Sequence, residues 1–336
     1  MPDTKVLLSG LNTFAEKNIG MILVAFSQLG FAFMNTAAKE MTRIEPTVSP
    51  FQVPYLQIFT YILSMGYTLA VKVPDPIFGP RGVRLLLFCR GFFGYFGLLG
   101  VWFAIQYMSL SDTTVITFLS PILTAIACAV FLGEPFTIKQ AAAGGFCLVG
   151  VVLIARPTFL FPKDLTTGEA GDGGPEVTPA QRMAAVGMTL LAVVGMTGAY
   201  TSLRALGHRA HPMHSQNYFS IVCMGLSFIG TRLTGESMQF PLRLDWILLL
   251  CAVGSFGFVS QILLAMGLAR GSGGRTILAV YLQVIFAGTC EWVFFHTTPS
   301  RLSILGTSII LTSAIYIAVS TPSRIPIFIH RKLTHS

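Results

Sequence analysis

Charge is scarce in this chain. Of 336 residues only 14 are acidic and 22 basic, while 53% are hydrophobic. A soluble protein built this way would need a core whose helices are almost all apolar on every side, which argues against a soluble domain. Catalytic signatures are missing too: there is no HExxH, no GxSxG, no DxD-like acidic pair and no glycine-rich phosphate loop. A membrane enzyme would therefore lack its reacting groups, and no cofactor is expected. The six cysteines lie inside apolar runs without paired spacing, which excludes a disulfide framework. No basic stripe with interleaved aromatics lies outside those runs, so the net charge of +8 does not point to nucleic acid. There is no Asn-x-Ser/Thr sequon, and the first apolar run lacks a small-residue cleavage site, so it is expected to stay as an anchor.

What fills the chain is a series of apolar runs from Ile19 to Val319, each about 18 to 25 residues long and so able to cross a bilayer as a helix. Ten are expected, at 19–40, 51–72, 85–108, 113–133, 137–155, 183–205, 214–234, 245–269, 275–296 and 301–320. The fold class read from them is an all-α membrane protein with ten transmembrane helices. With the N-terminus in the cytosol, thirteen of the 22 basic residues fall on that side and eight on the other, leaving Arg90 within a span. The excess places both termini in the cytosol. The basic tail from Arg324 to Lys332 is suited to an anionic leaflet, which leaves plasma membrane and endomembrane both open.

The one long polar insertion is FPKDLTTGEAGDGGPEVTPAQR, Phe161 to Arg182. Its glycines, prolines and acidic groups read as a flexible linker. The expected organisation is a cytosolic segment at 1–18, a five-helix unit at 19–157, a linker at 158–182, a second five-helix unit at 183–320 and a cytosolic tail at 321–336. A weak internal repeat supports the division. GMILVAFSQLGFAFMN from Gly20 resembles GMTLLAVVGMTGAYTS from Gly187, and RGFFGYFG beside VGSFGFVS aligns Gly94 with Gly257 and Gly97 with Ser260. Five spans per unit is an odd number, so the second copy enters the membrane in the opposite sense. Two inverted repeats around a midplane site are the expected plan.

One stretch breaks the separation of charge from apolar sequence. Cys89 to Phe103 reads CRGFFGYFGLLGVWF, with Arg90 inside the run and glycines at 91, 94, 97 and 100. At about 100° per residue, Gly94, Gly97 and Val101 fall within roughly 40° of the arginine's direction. Such a face either lets a neighbouring helix approach closely or also leaves an opening capped by a guanidinium. Arg90 itself either snorkels to the interface, about 9 Å from the level of Arg84, or faces a polar cavity and grips a carboxylate or phosphate.

Neutral groups in other spans could hydrogen-bond a solute: Thr113, Thr117, Ser120 and Pro121 on the fourth, Ser260 and Gln261 on the eighth, Tyr281 and Gln283 on the ninth. Pro121 would free a backbone carbonyl. With Arg90, Gly94 and Gly97, the residues Thr117, Ser120, Pro121, Ser260, Gln261, Tyr281 and Gln283 form the candidate substrate-binding set. Lys39 and Arg204 end equivalent spans in the two halves, as interfacial anchors or gate residues. Glu291 is an acidic residue within a span, suited to proton coupling or to an interhelical pair. HRAHPMH sets His208, His211 and His214 three apart, but Pro212 interrupts the helix that would align them and no cysteine or carboxylate adjoins. No metal site is expected.

Ala104 to Pro157 reads AIQYMSLSDTTVITFLSPILTAIACAVFLGEPFTIKQAAAGGFCLVGVVLIARP, with Pro121 in mid-span and Gly133-Glu134 before a glycine-rich fifth helix. This resembles the end of the first half of an EamA-type member of the drug/metabolite transporter superfamily. Arg90-Gly91, the SLSDTTVITFLSP run from Ser109 and the closing IARP from Ile154 are similar to the solute carrier 35 subfamily G. The second half departs from the pattern, with Gln283-Val284 where many relatives carry Glu-Pro. The resemblance implies a secondary transporter and no enzyme, moving a small polar metabolite by alternating access, and the lone cations favour an organic anion. The expected partners are a small-molecule substrate and the lipid bilayer, with a second copy of the chain as a candidate homodimer mate. The competing expectation is a regulatory or scaffold membrane protein that keeps the architecture without transport.

Overall fold

A computed structural model describes residues 3–44, 53–104, 107, 110–155, 160, 178–234, 243–271, 276–296 and 301–320. Among them the chain is helical, with no strand. The helices are α1 (Asp3–Ile44), α2 (Val53–Ala70), α3 (Arg84–Ala104), α4 (Leu110–Thr117), α5 (Ser120–Leu132), α6 (Ile138–Ala155), α7 (Pro179–Leu206), α8 (Pro212–Thr234) and α9 (Leu244–Arg270). A 3₁₀ helix (Ile277–Tyr281) leads into α10 (Leu282–Phe295), and α11 (Arg301–Ser320) closes the set. Residues 3–17 belong to α1, so the expected N-terminal segment is backbone-continuous with the first span. Most of the linker and the whole basic tail lie outside the described residues.

Each of the ten expected runs overlaps a described helix or pair of helices, and eight are long and apolar enough to cross a membrane. The other two, α2 and α8, carry polar stripes. Gln57, Thr60, Ser64 and Thr68 on α2 are buried, as are His214, Gln216, Asn217 and Ser220 on α8. The stripes face each other: Ser220 donates to Gln57 Oε1 at 3.1 Å, and the hydroxyls of Thr60 and Ser220 lie 3.3 Å apart. The polarity that lowers the hydropathy of these helices is thus spent inside the bundle.

The surface has the opposite character. Ile138 is 88% exposed, Phe131 78% and Leu85 75%, whereas Ser27, Thr124, Asn217 and Ser260 are wholly buried. Apolar side chains outside and polar ones inside fit a surrounding of acyl chains, where each buried polar group still needs a partner.

Proline and glycine set the local geometry. Pro121 lacks the N–H that would continue the fourth span, which breaks at Phe118 and Leu119 between α4 and α5. Gly133 then ends α5 in a left-handed cap. Glycines also fix the helix crossings. A Cβ on Gly195 of α7 would stand 2.5 Å from the Gly97 nitrogen of α3, and one on Gly267 of α9 would stand 2.7 Å from the Gly20 carbonyl of α1. Backbone meets backbone at both places, an approach that only glycine permits.

The packing has a regular plan. The principal pairs are α3 with α7, α1 with α9, α6 with α11, α2 with α8, α3 with α8, α2 with α9, α1 with α10 and α5 with α7. Exchanging each element of the first half with its counterpart in the second returns the same list. Directions follow from the contacts. Gly97 meets Gly195 while Gly100 meets Met188, so α3 and α7 are antiparallel; Gly20 meets Gly267 while Gly257 meets Met34, so α1 and α9 are antiparallel. Arg90 lies beside Tyr200 and Gln261, and Arg204 reaches Leu268, so α7 and α9 run the same way. Hence α1 runs opposite to α7, and α3 opposite to α9.

Candidate functional site

The site starts from Arg90. Its side chain is packed inside the bundle, 4% exposed. Nη2 donates to Gln261 Oε1 of α9 at 2.7 Å, and the guanidinium carbon stands 4.5 Å from the centre of the Phe219 ring on α8. A cation over an aromatic face recovers part of what it loses on leaving water. Cys223 and Tyr200 complete its surroundings. Nε is buried without a hydrogen-bond partner, and no carboxylate pairs with Arg90 among the described residues. Three helices of the second half therefore surround a cation from the first.

The glycines divide the work of making this possible. Gly91 packs on Tyr218 and Val222 of α8, while Gly97 and Gly100 pack on α7. Gly94 differs, because a side chain there would collide with Arg90 Nη1 and with Phe219. Its missing Cβ is the room in which the guanidinium lies. Gly94, Tyr200 and Gln261 all keep accessible surface, although Tyr200 is deeply enclosed by protein.

The structure brings together Arg90, Gly94 and Gln261. Ser260, next to Gln261, is wholly buried and turned toward α1, where Gly30 leaves it space; its hydroxyl has no partner. A second group gathers at the α4–α5 break. Ser120 donates to the Met196 sulfur at 3.7 Å, and Met196 also covers Gly97. The Tyr281 hydroxyl donates to the Phe118 carbonyl at 2.9 Å, so it serves the backbone freed near Pro121. Thr117 bonds the Thr114 carbonyl of its own helix at 2.9 Å. Gln283 is half-buried on α10. These groups are not joined to Arg90 by any described hydrogen bond.

Lys39 is exposed on α1, and the side chain of Glu291 lies outside the described residues. Arg204 is buried at the end where α7 and α9 finish. It pairs with Glu134 at 2.5 Å and donates to the carbonyls of Leu268 and Ala269 at 2.9 and 3.1 Å. Of the three histidines, His214 turns inward and bonds the Pro74 carbonyl at 3.1 Å, and the described residues contain no metal-ligating cluster.

Sequence reasoning missed Phe219, Tyr200 and Cys223, since an aromatic or thiol in an apolar run carries no mark of which way it faces. It also missed the ties from α8 to the loop before α3. His214, Asn217 and Tyr218 share one face of α8 and bond the carbonyls of Pro74, Pro76 and Phe78. The i, i+3, i+4 spacing of polar groups was the available signal.

Comparison with known proteins agrees with this architecture. A probable transport protein of Saccharomyces cerevisiae is 34% identical over 316 residues, covering 90% of this chain and 89% of the relative. Solute carrier family 35 member G1 of Homo sapiens is 30% identical over 241 residues, 72% of this chain and 64% of the carrier. A pseudopaline exporter of Pseudomonas aeruginosa is 26% identical over 299 residues, 88% of this chain and 94% of the exporter. A crystal structure at 17% identity superposes with a TM-score of 0.71 over 90% of this chain and 96% of its own, which shows the shared fold. The EamA-like transporter family profile matches residues 18–156 and 183–319, and the chain belongs to that family as an integral multi-pass membrane protein.

Proposed function

We propose that this protein is a secondary transporter that moves a small polar organic anion across a membrane by alternating access, with Arg90 as the group that binds it. The observation that carries this reading is a guanidinium buried in mid-bundle with a neutral amide as its polar partner and an unpartnered Nε. An isolated buried charge is expensive, and a carboxylate or phosphate seated on a guanidinium by two charge-assisted bonds offsets that cost. Thr117, Ser120, Pro121, Ser260, Tyr281 and Gln283 would act further along the path.

The same reading takes the chain as ten spans in two inverted five-helix repeats, at 19–157 and 183–320, with both termini cytosolic. The exchange symmetry of the helix pairs and the opposed directions of α1 and α7 support it. Alternating access then needs one end sealed while the other opens. The Arg204–Glu134 pair and the bonds from α8 to the loop at 74–78 supply a seal at the cytosolic end. Transport leaves the substrate unchanged, consistent with relatives named as transporters.

The test is reconstitution into liposomes with labelled organic anions, sugars and amines. Anion accumulation that falls by about tenfold or more in Arg90→Lys, with the protein still monodisperse, is the expected result. Undiminished accumulation in that variant overturns the role of Arg90, and the absence of accumulation of any solute returns the chain to a regulatory or scaffold role.

A further inference from the structure

We propose that Gln261 is a tethered competitor: in the empty protein its amide oxygen occupies the edge of Arg90 that an anion takes, and loading begins when the anion displaces it. This rests on the reading of Arg90 as the anion site and adds how that site is kept and released.

The argument starts from guanidinium geometry. Nε–H and one N–H of Nη2 point along the same edge, the one that matches two oxygens of a carboxylate or phosphate. In this structure one nitrogen of that edge is engaged and the other is not. Nη2 donates to Gln261 Oε1 at 2.7 Å, while Nε is buried without a partner. The remaining directions are confined, since Phe219 covers one face and Nη1 lies over the gap at Gly94. An anion seeking two bonds is thus directed to the Nε–Nη2 edge, whose Nη2 is already held by Gln261. A phosphate or carboxylate adds a full negative charge and can accept from Nε and Nη2 together, where the neutral amide accepts from Nη2 alone, so exchange runs toward the ligand.

Displacement also has a mechanical consequence. Arg90 is on α3 and Gln261 on α9, counterparts in the two halves, and their bond is a polar tie across the centre of the bundle. An anion that takes Gln261's place cuts that tie at the moment of loading. Gln261 is half-buried, so the released amide has an accessible side to turn toward. Binding and the freedom of the halves to move are coupled through one side chain.

Two substitutions separate a competitor from an ordinary ligand contact. Gln261→Met keeps the length and removes the acceptor. Gln261→Glu fixes a carboxylate on the edge. The full-length protein is purified in detergent, and its thermal midpoint is followed against malonate, a compact dicarboxylate, and separately against inorganic phosphate. In Gln261→Met the concentration for half the maximal shift with the better of the two probes falls about tenfold or more, the weight of one hydrogen bond to a charged group. In Gln261→Glu the anion-dependent shift disappears, while the anion-free midpoint rises above that of wild type. Gln261→Asn, too short to keep the bond, follows Met and guards against a packing effect of the thioether. An unchanged or raised half-maximal concentration in both Met and Asn variants overturns the proposal, as does a Glu variant that responds like wild type or the absence of any shift in wild type and Met alike. Failure of the underlying reading looks different: Arg90→Met then keeps the full wild-type response.

Discussion

Arg204 and Glu134 form an ion pair at 2.5 Å that joins α7 of the second half to the turn after α5 of the first, with side chains only 7% and 16% exposed. The two partners are not equivalent, because the Arg204 guanidinium also holds the Leu268 and Ala269 carbonyls at the end of α9. Removing the arginine unties three elements, whereas neutralising the glutamate leaves two of its bonds in place. Arg204→Met is therefore expected to cost about 2–4 kcal/mol and Glu134→Gln about half that or less. Thermal midpoints of the purified variants check the order, and equal losses would mean that the carbonyl bonds contribute nothing.

Glycine substitutions should divide by what they meet. Gly195→Ala places a methyl within 2.5–2.7 Å of the Gly97 and Phe93 backbone of α3, so the α3–α7 crossing must open. A loss of about 3 kcal/mol or of folded protein is expected. Gly225→Ala, with nothing within 4 Å of the added atom, should be neutral or stabilise α8 by about 0.5–1 kcal/mol. Detergent-solubilised yield and thermal midpoint read both.

How much of this was legible in the sequence depends on the range of the contact. The all-helical, membrane-crossing character follows from run length, and Pro121 marked where a backbone carbonyl would be freed. The glycines at every third residue announced close packing, yet whether Gly94 served packing or the arginine depended on Phe219, more than a hundred residues away. Gly133-Glu134 was visible as a motif while its partner Arg204 read as one more basic residue at a helix end. The stripes on α2 and α8 were present as letters, but polar residues spaced along an apolar run do not say which neighbour they face.

The α4–α5 break makes its own prediction. Tyr281 is wholly buried, and its hydroxyl satisfies the Phe118 carbonyl across the interface between the halves. Tyr281→Phe keeps the ring packing on Phe118 and leaves that carbonyl without this donor. The expected cost is about 1–3 kcal/mol, and adding Pro121→Ala should recover part of it by letting the helix run through the break. A double-mutant cycle in thermal stability tests the coupling, and strict additivity of the two changes would disprove it.

Acid should loosen the turn between α7 and α8. Burial first, and then the charge of neighbouring His214, hold the His211 imidazole below its ordinary value of 6.5. The folded protein therefore binds this proton less readily than the unfolded chain does. Stability from this group is complete above pH 6.5 and is lost as pH falls through the lowered folded value. The effect is small, since most of the ring remains in contact with solvent. His211→Gln should flatten the decline in thermal midpoint between about pH 7 and pH 5 while leaving the midpoint at pH 8 nearly unchanged. A variant that declines as steeply as wild type would assign the acid sensitivity to another group, and His214→Gln, which also removes the bond to the Pro74 carbonyl, would lower the midpoint at every pH.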